Sequence, residues 1–535
     1  DAGQALESNA MTESLIDTLP SPTPGLEPGL IARLAADLGS AGWSVDAMET
    51  MISPTARAAL MRNQRVPALR ELQRKDSAAA VLTRFFVLGC AESGDVLAQA
   101  LPSLGVRGAV DLGLIFPALD VDSPSGQQLF KANYDLRPHA AQLQGGLKNW
   151  WILSDLGEDV TGEPIRPDHV LGIGGATTSL LKATLRTPVE SALDLGCGCG
   201  IQALYLATHA TRVVATDLSA RACEITRFNA ALNGVELDVR QGSLFEPVEG
   251  EEFDLIASNP PFVITPDSLR SSGVLEYRDG GMSRDHLVRT VIRESPKYLK
   301  PGGVTQLLAN WEIPGRLGHP DDWENVVRSW VEDLPVDAWI VQRDRLDPAH
   351  YVEMWLRDSG QQLHQRDDYE REYAQWLDDF LQAGVVEIGM GMVALRKLDT
   401  PRSGVCECDE LEGGESPSGE DVQRALASLR LPDDLSELHL FFASDVTEER
   451  HFLPGAQDPS ALVLHQGGGL GQSVASTTAL SALVGASDGE LSVGQICGAL
   501  AALLECDSLQ LQEELFPQVR TLIRWGFLRV ESDQE

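Results

Sequence analysis

Asn259-Pro260-Pro261-Phe262 is the stretch of this sequence whose residue types and order point most directly to chemistry. Neither proline carries a backbone N–H, and both hold φ near about −65°, so the apolar run Phe253-Asp254-Leu255-Ile256-Ala257 must stop being a strand here and enter a stiff loop. Stiffness suits a particular task. The Asn259 side-chain oxygen and the Pro260 carbonyl can each accept one hydrogen of an –NH2 group while Phe262 covers its planar flank. Amides and exocyclic amines are poor nucleophiles because the nitrogen lone pair is delocalised into the adjoining carbonyl or ring. Two acceptors on the hydrogens favour a more tetrahedral nitrogen whose lone pair can attack an electrophilic methyl carbon in line. The chemistry requires no metal and no strong base, because the nitrogen becomes acidic only as the new bond forms. The plain alternative is a proline-bounded turn over a buried phenylalanine.

Such a loop needs a scaffold and a methyl source, and both are legible upstream. Val189-Glu190-Ser191-Ala192-Leu193-Asp194-Leu195 reads as a strand running into Gly196-Cys197-Gly198-Cys199-Gly200 and then a helix from Ile201. Glycines there take positive φ and let the backbone approach a nucleotide-like cofactor at the carboxyl edge of a parallel sheet. A second strand, Thr211–Thr216, ends in Asp217, about 20 residues past the first glycine, where a carboxylate can accept both ribose hydroxyls of an adenosyl group. NAD and S-adenosylmethionine both use this arrangement. The dinucleotide fingerprint fails on its glycine spacing, and an adenosyl donor has no pyrophosphate to seat on the helix N-terminus. The two motifs together favour the methyl donor.

The segments Leu193–Gly200, Ala215-Thr216-Asp217-Leu218, Gly242-Ser243-Leu244-Phe245-Glu246-Pro247 and Ser258–Phe262 resemble, in order, the motifs of class I S-adenosylmethionine-dependent methyltransferases. Within them the chain is similar to the branch of release-factor glutamine and small-domain ribosomal RNA guanine-N2 methyltransferases, over about residues 168–398; the flanks have the general look of three-domain actinobacterial methyltransferases. The resemblance implies an α/β fold with a seven-stranded, Rossmann-like sheet and S-adenosyl-L-methionine as cofactor. It implies that Asp194, Gly196 and Gly198 line the methionine end of the donor, Asp217 binds its ribose and Leu218 packs on the adenine. Asn259, Pro260 and Phe262 become the catalytic set. Ser243 stands where the family often has an acid or amide, so either its hydroxyl or the Leu244 N–H is left to meet the adenine. Thr177, in Leu171–Ser179, is a candidate for the donor carboxylate; the competing reading is that Thr177 or Thr178 merely caps a helix. Tyr277, Arg278 and Asp279, in the glycine-rich stretch Gly273–Met282, are candidate substrate contacts outside the catalytic set. Trp311, in Asn310-Trp311-Glu312 near a strand end, reads as structural.

A chain of 535 residues accommodates about three domains. Residues 1–10 read as a vector-derived remnant, 11–153 as an N-terminal helical, winged-helix-like domain, 154–398 as the methyltransferase domain, 399–421 as an acidic flexible linker, and 422–535 as an α+β domain with a winged helix at its end. Gln127–Leu136 reads as a strand pair or wing, and Gly467–Gly471 as a hairpin turn rather than a phosphate cradle, because no Lys-Ser/Thr pair follows it. Eight scattered cysteines without paired C-x-x-C sets suit reduced thiols in the cytoplasm, and Cys406-Glu407-Cys408 reads as no metal site. No leader and no membrane span are expected.

Charge bears on the acceptor. The net charge is −37, and beyond Leu398 the chain holds 24 acids against 7 bases. Such a balance repels phosphates, which ranks a protein glutamine or another macromolecular amide slightly ahead of an RNA or DNA base, guanine N2 or adenine N6. Arg57, Arg62, Arg65, Arg70, Arg74 and Lys75 run against this trend, and are read first as a solvated helix face. A reading of another class, a regulatory protein that binds the donor without catalysis, is opposed by the intact Asn259, Pro260 and Phe262. Oligomeric state has no signal in the sequence.

Overall fold

The computed structural model describes residues 21–118, 126–143, 145–162, 165–266, 284–316, 319–320, 322–358, 366–411, 413 and 416–530. The expected remnant at 1–10 and the candidates Tyr277, Arg278 and Asp279 lie outside the described residues. The chain divides into two compact units. The first comprises 1–172 with 198–201 and 217–241, and the second 173–197, 202–216 and 242–535.

The first unit begins with short helices, Pro28–Ser40, Val45–Met51, Pro54–Leu60, Val66–Leu72 and Ala78–Leu82, the last running into a π-helical turn Thr83–Val87. Ser44, Ser53 and Ser77 cap three of them by accepting from backbone N–H groups in the first turn. Helices Gly94–Ala100 and Gly105–Asp111 then separate strand Glu92–Ser93 from Ile115–Pro117 and Leu129–Ala132, and the three strands pair in the order first, third, second. Helix, strand, helix, helix and two strands in that order is winged-helix topology. Gln127–Leu136 is not one strand pair, however. Leu129–Ala132 belongs to that small sheet, whereas Asp135–Leu143 forms a separate hairpin with Gly146–Ser154, in register from Asp135↔Ser154 to Leu143↔Gly146. Helix Ala220–Leu232 docks on this hairpin through asparagine amides. The Asn229 side chain accepts from Leu153 N (2.8 Å) and donates to Leu153 O (2.9 Å), and Asn233 does the same to Trp151 (2.9 and 2.8 Å), so each amide mimics a strand neighbour.

The second unit carries the large sheet. Among the described residues the sheet has nine strands rather than the expected seven, and seven of them are β1 (Val189–Leu195), β2 (Ala210–Asp217), β3 (Phe253–Ser258), β4 (Leu299–Arg316), β5 (Val336–Leu346), β6 (Val385–Lys397) and β7 (Cys406–Glu410), arranged β7-β5-β6-β4-β3-β1-β2. All adjacent pairs among these seven are parallel except those of β6, which is inserted antiparallel between β4 and β5. A parallel sheet is covered on both faces, and the burial of β1, β3 and the first seven residues of β5 along nearly every residue follows from that. Trp311, Trp323, Phe253 and Ile340 sit in its main core, with Trp311 stacked on Trp323 at 5.7 Å and donating to Gln342 Oε1 at 3.0 Å.

The 399–421 segment departs from the expected flexible linker, since it contains β7 and the capping-box start of helix Gly419–Ser428. The acidic alternation Glu407/Asp409 is stabilised by tertiary partners. The Asp409 carboxylate, buried, accepts from Trp339 Nε1 at 2.7 Å and from Arg524 Nε and a terminal guanidinium nitrogen at 2.7 and 2.9 Å. Arg524 comes from helix Ser508–Trp525 near the chain's end. Around that helix, Thr478–Ala486 and Val493–Leu504 bury leucines, and strands Asp488–Ser492, His439–Phe442 and Leu528–Val530 form a sheet with the second of these in the middle. The arrangement is winged-helix-like with its central strand supplied from earlier in the chain. Gly467–Gly471 connects the antiparallel strands Ala461–Gln466 and Ser473–Ser476.

Candidate active site

In the second unit, β3 ends where the prolines require. Ser258 is wholly buried and donates its hydroxyl to Leu195 O at 2.7 Å, which ties the ends of β3 and β1 together. Asn259 follows. Its Nδ2 donates to Thr177 Oγ1 at 3.4 Å, on the first turn of helix Gly175–Ala183, while its Oδ1 is buried with no hydrogen-bond partner among the described residues. Leaving such an oxygen without a donor costs about 1–3 kcal/mol, so the position stores a demand for an N–H or O–H. Pro260 is buried. Phe262 is half-buried and packs edge-to-face on Trp355, ring centroids 6.2 Å apart.

The loop is pinned by residues with no motif to announce them. The Tyr351 hydroxyl, wholly buried, accepts from Ile264 N at 3.1 Å and from Asn310 Nδ2 at 2.9 Å. Burial holds this phenol far above its ordinary pKa, so it stays neutral. Helices Pro348–Asp358 and Arg366–Gln382, inserted between β5 and β6, bring Tyr351, Trp355, Trp376 and Phe380 against the loop. Two residues beyond Asn310, Glu312 pairs with Arg284, which also pairs with Asp379 at 2.9 Å. Burial pushes the Glu312 carboxyl up to about 7, with Asp285 and Asp379 adding to the effect against Arg284.

Hydrogen bonds tie the glycine-rich turn within each unit. In the second unit the Gly196 and Cys197 N–H groups donate to Thr216 O at 2.9 Å, and buried Asp194 accepts from Ala203 N at 2.9 Å at the start of helix Ile201–Leu206. In the first unit Asp217 accepts from Gly198 N and Ser219 N, both at 2.9 Å, and loss of water pushes its carboxyl above the usual range against these bonds. Thr226 donates to Gly198 O at 2.9 Å and Asn229 to Cys199 O at 2.8 Å, so helix Ala220–Leu232 holds the turn from behind. Gly196 (φ 80°) and Gly198 (φ 52°) take left-handed backbone, and a methyl group added to either would meet nothing within 4 Å. Leu218 is 67% exposed, unusual for a leucine beside a turn so well tied. Within the second unit, the unpartnered Asn259 oxygen is an acceptor suited to an amine.

Among the remaining sequence candidates, neither Thr177 nor Thr178 caps the helix. Gly174 holds the cap position without a side-chain bond, and Thr178 donates to Gly174 O at 3.0 Å. Thr177 instead meets Asn259. Ser243 accepts from Glu246 N through its carbonyl at 3.0 Å, and Leu244 has φ 47°, a strained conformation for a branched side chain. Asn229, Asn310 and Tyr351 were beyond sequence reasoning, because a lone polar residue within an apolar run gives no sign of a partner dozens of residues away.

Two family models match different parts of the chain. Residues 174–317 match the model of the methyltransferase small domain, and residues 40–123 match a domain of unknown function (DUF7059). A ribosomal RNA small subunit methyltransferase C from Alcanivorax borkumensis is 35% identical over 122 residues, 23% of this chain and 33% of that protein. The protein of the same name from Salmonella newport is 30% identical over 235 residues, 43% of this chain and 62% of its own length. The chain thus spans less than two thirds of either relative. Among solved structures, the Thermus thermophilus 16S rRNA N2 G1207 methyltransferase in complex with AdoMet and guanosine aligns at 18% identity over 44% of this chain and 60% of that one, with a TM-score of 0.24.

Proposed function

We propose that this chain, whose residues 174–317 form a methyltransferase small domain, is an S-adenosyl-L-methionine-dependent N-methyltransferase acting on an exocyclic amino group of an RNA base, guanine N2 first. The observation that carries the reading is the buried Asn259 oxygen without a donor, at the end of a proline-stiffened strand. Gly196 and Gly198 leave room for the donor's methionine end, Asp217 retains lone pairs for its ribose, and exposed Leu218 offers a face to its adenine. Asp194 acts by closing the turn, Thr177 by aiming Asn259, and Ser243 and Leu244 remain the candidates at the adenine edge. Bound there, S-adenosylmethionine supplies an electrophilic methyl group on a sulfonium.

Asn259 Oδ1 and the Pro260 carbonyl take the two hydrogens of the acceptor amine and turn its lone pair out of the ring's π system. Phe262, braced by Trp355, fixes the plane of the base. Tyr351 keeps the loop from swinging away when the pocket is empty. Support for RNA over the protein glutamine that net charge had ranked first comes from the relatives, both named as ribosomal RNA methyltransferases. Net charge sums over the whole surface and says little about a local face, so −37 is a weak argument against a nucleic-acid acceptor.

The test is transfer of tritiated methyl groups from S-adenosylmethionine to ribosomal subunits from cells lacking the protein. Nuclease and protease digestion of the product and mass spectrometry of its nucleosides follow. Label in N2-methylguanosine is expected; label that survives nuclease and is lost to protease would return the glutamine reading to first place.

A further inference from the structure

Residues 57–75 hold six bases and a single acid in a chain of 79 acids and 42 bases. Helices Pro54–Leu60 and Val66–Leu72 bury Ala56, Ala59, Ala68 and Leu72, and they leave the opposite side to solvent. The turn Met61–Gln64 between them is exposed throughout, with Met61 87% exposed and Asn63 in left-handed backbone (φ 57°). Val66, itself 62% exposed, and Arg70 are one turn apart on the second helix, and exposed Gln73 and Arg74 continue that side past its end. Some of the bases are occupied. Arg57 pairs with Glu49 at 3.1 Å, Arg65 donates to Leu88 O at 2.8 Å, and Lys75 donates to Met51 O at 2.5 Å. The lone acid, Glu71, is turned onto Ser53 N and Oγ, both at 2.6 Å; it feels the charge of Lys75 and forms no ion pair with Arg62, Arg70 or Arg74 among the described residues. Arg62, Arg70 and Arg74 are exposed with no ion pair or hydrogen bond among the described residues.

In a protein with nearly twice as many acids as bases, a strip with three exposed guanidinium groups in no ion pair among the described residues runs against the overall charge balance. We propose that this face of the N-terminal domain, Arg62, Arg70 and Arg74 flanked by Met61 and Val66, is a docking surface for the RNA that carries the methyl acceptor. Guanidinium groups bind phosphate oxygens in pairs and lose little on leaving water, and the two apolar side chains suit the faces of sugars or unstacked bases. The inference rests on the RNA reading of the site, and it explains how an acidic protein retains a polyanionic substrate.

The experiment measures binding of a fluorescein-labelled ribosomal RNA fragment to the full chain by anisotropy across a salt series, beside methylation of ribosomal subunits. The Arg62→Ala/Arg70→Ala/Arg74→Ala variant should bind the RNA at least tenfold more weakly. Its slope of log affinity against log salt should fall by about 2, at about 0.7 per lost phosphate contact on single strands. Replacing the three arginines by lysine should restore most of the slope, which separates charge from misfolding, and affinity for S-adenosylmethionine should not change. Equal RNA affinity and slope in the wild type and the alanine variant would overturn the proposal, as would tighter binding to phosphatidylglycerol vesicles than to the RNA. If RNA binds through the strip while the methyl label goes to protein, the docking surface stands and the acceptor reading fails.

Discussion

Tyr351→Phe removes one oxygen and nothing else, and the site makes its effect calculable. That oxygen accepts from Ile264 N, in the loop that begins with Asn259, and from the side chain of Asn310. Asn310 can turn its amide toward another partner, but the Ile264 N–H is fixed in the backbone of a residue 1% exposed. Orphaning a buried donor costs about 1–3 kcal/mol. If about 2 kcal/mol of this weighs against the loop geometry that grips the amine, the single-turnover rate falls about 30-fold. The donor-binding residues proposed at the glycine turn are untouched, so affinity for S-adenosylmethionine should stay within about twofold of wild type. The assay pairs rapid-quench transfer to saturating ribosomal substrate with calorimetric titration of the donor. A Tyr351→Phe enzyme with the wild-type single-turnover rate refutes the pinning argument, and so does a loss of donor affinity as large as the loss of rate.

Gly198→Ala places a methyl group in open space on left-handed backbone, so stability should fall by only about 1 kcal/mol while donor affinity drops more than tenfold; calorimetry and thermal melts separate the two. Glu312, raised by burial to about 7 from an unfolded value near 4.3, binds its proton more tightly in the folded state. Its stabilisation is therefore complete below about pH 4.3 and is lost as the pH rises through 7. Glu312→Gln mimics the protonated form, and its unfolding free energy should come close to wild type at pH 4.5 and exceed it at pH 8 by up to about 4 kcal/mol; a gap that does not widen with pH contradicts the assignment. Asp409→Ala leaves the buried Arg524 guanidinium with Thr521 Oγ1 at 3.4 Å and the Glu407 carboxylate at 3.7 Å, and should cost about 3 kcal/mol in urea unfolding. The apolar double variant Asp409→Leu/Arg524→Met should cost less than the single change.

The parts of the molecule legible in the sequence are those whose physics is local. Proline chemistry ends β3 after Ser258, alternating glycines force the turn after β1, and an acid at the end of β2 follows from the same strand–turn–helix pattern. What escaped depends on distant partners. Cys406–Glu410 looks like a linker because acidic residues are poor strand formers, and it becomes β7 because Trp339 and Arg524, 70 and 115 residues from Asp409, satisfy its carboxylate. The motif places Asp194 at the donor, and its carboxylate also accepts from Ala203 N at the helix start, a role that pattern alone does not separate from ligand contact. Of the two readings of Thr177 the structure excludes only the cap, and its contact with Asn259, 82 residues on, has no local signal. The acceptor was ranked from net charge, a sum in which the basic strip at 57–75 disappears.

The measurement that bears most directly on the account is Asn259→Ala, assayed for methyl transfer to ribosomal subunits and for S-adenosylmethionine affinity in the same preparation. Loss of the oxygen that waits without a donor should cut the transfer rate at least a hundredfold, about 2.7 kcal/mol of transition-state stabilisation, with donor affinity within a few-fold of wild type. Full transfer activity in Asn259→Ala would contradict the claim that this oxygen grips the amine.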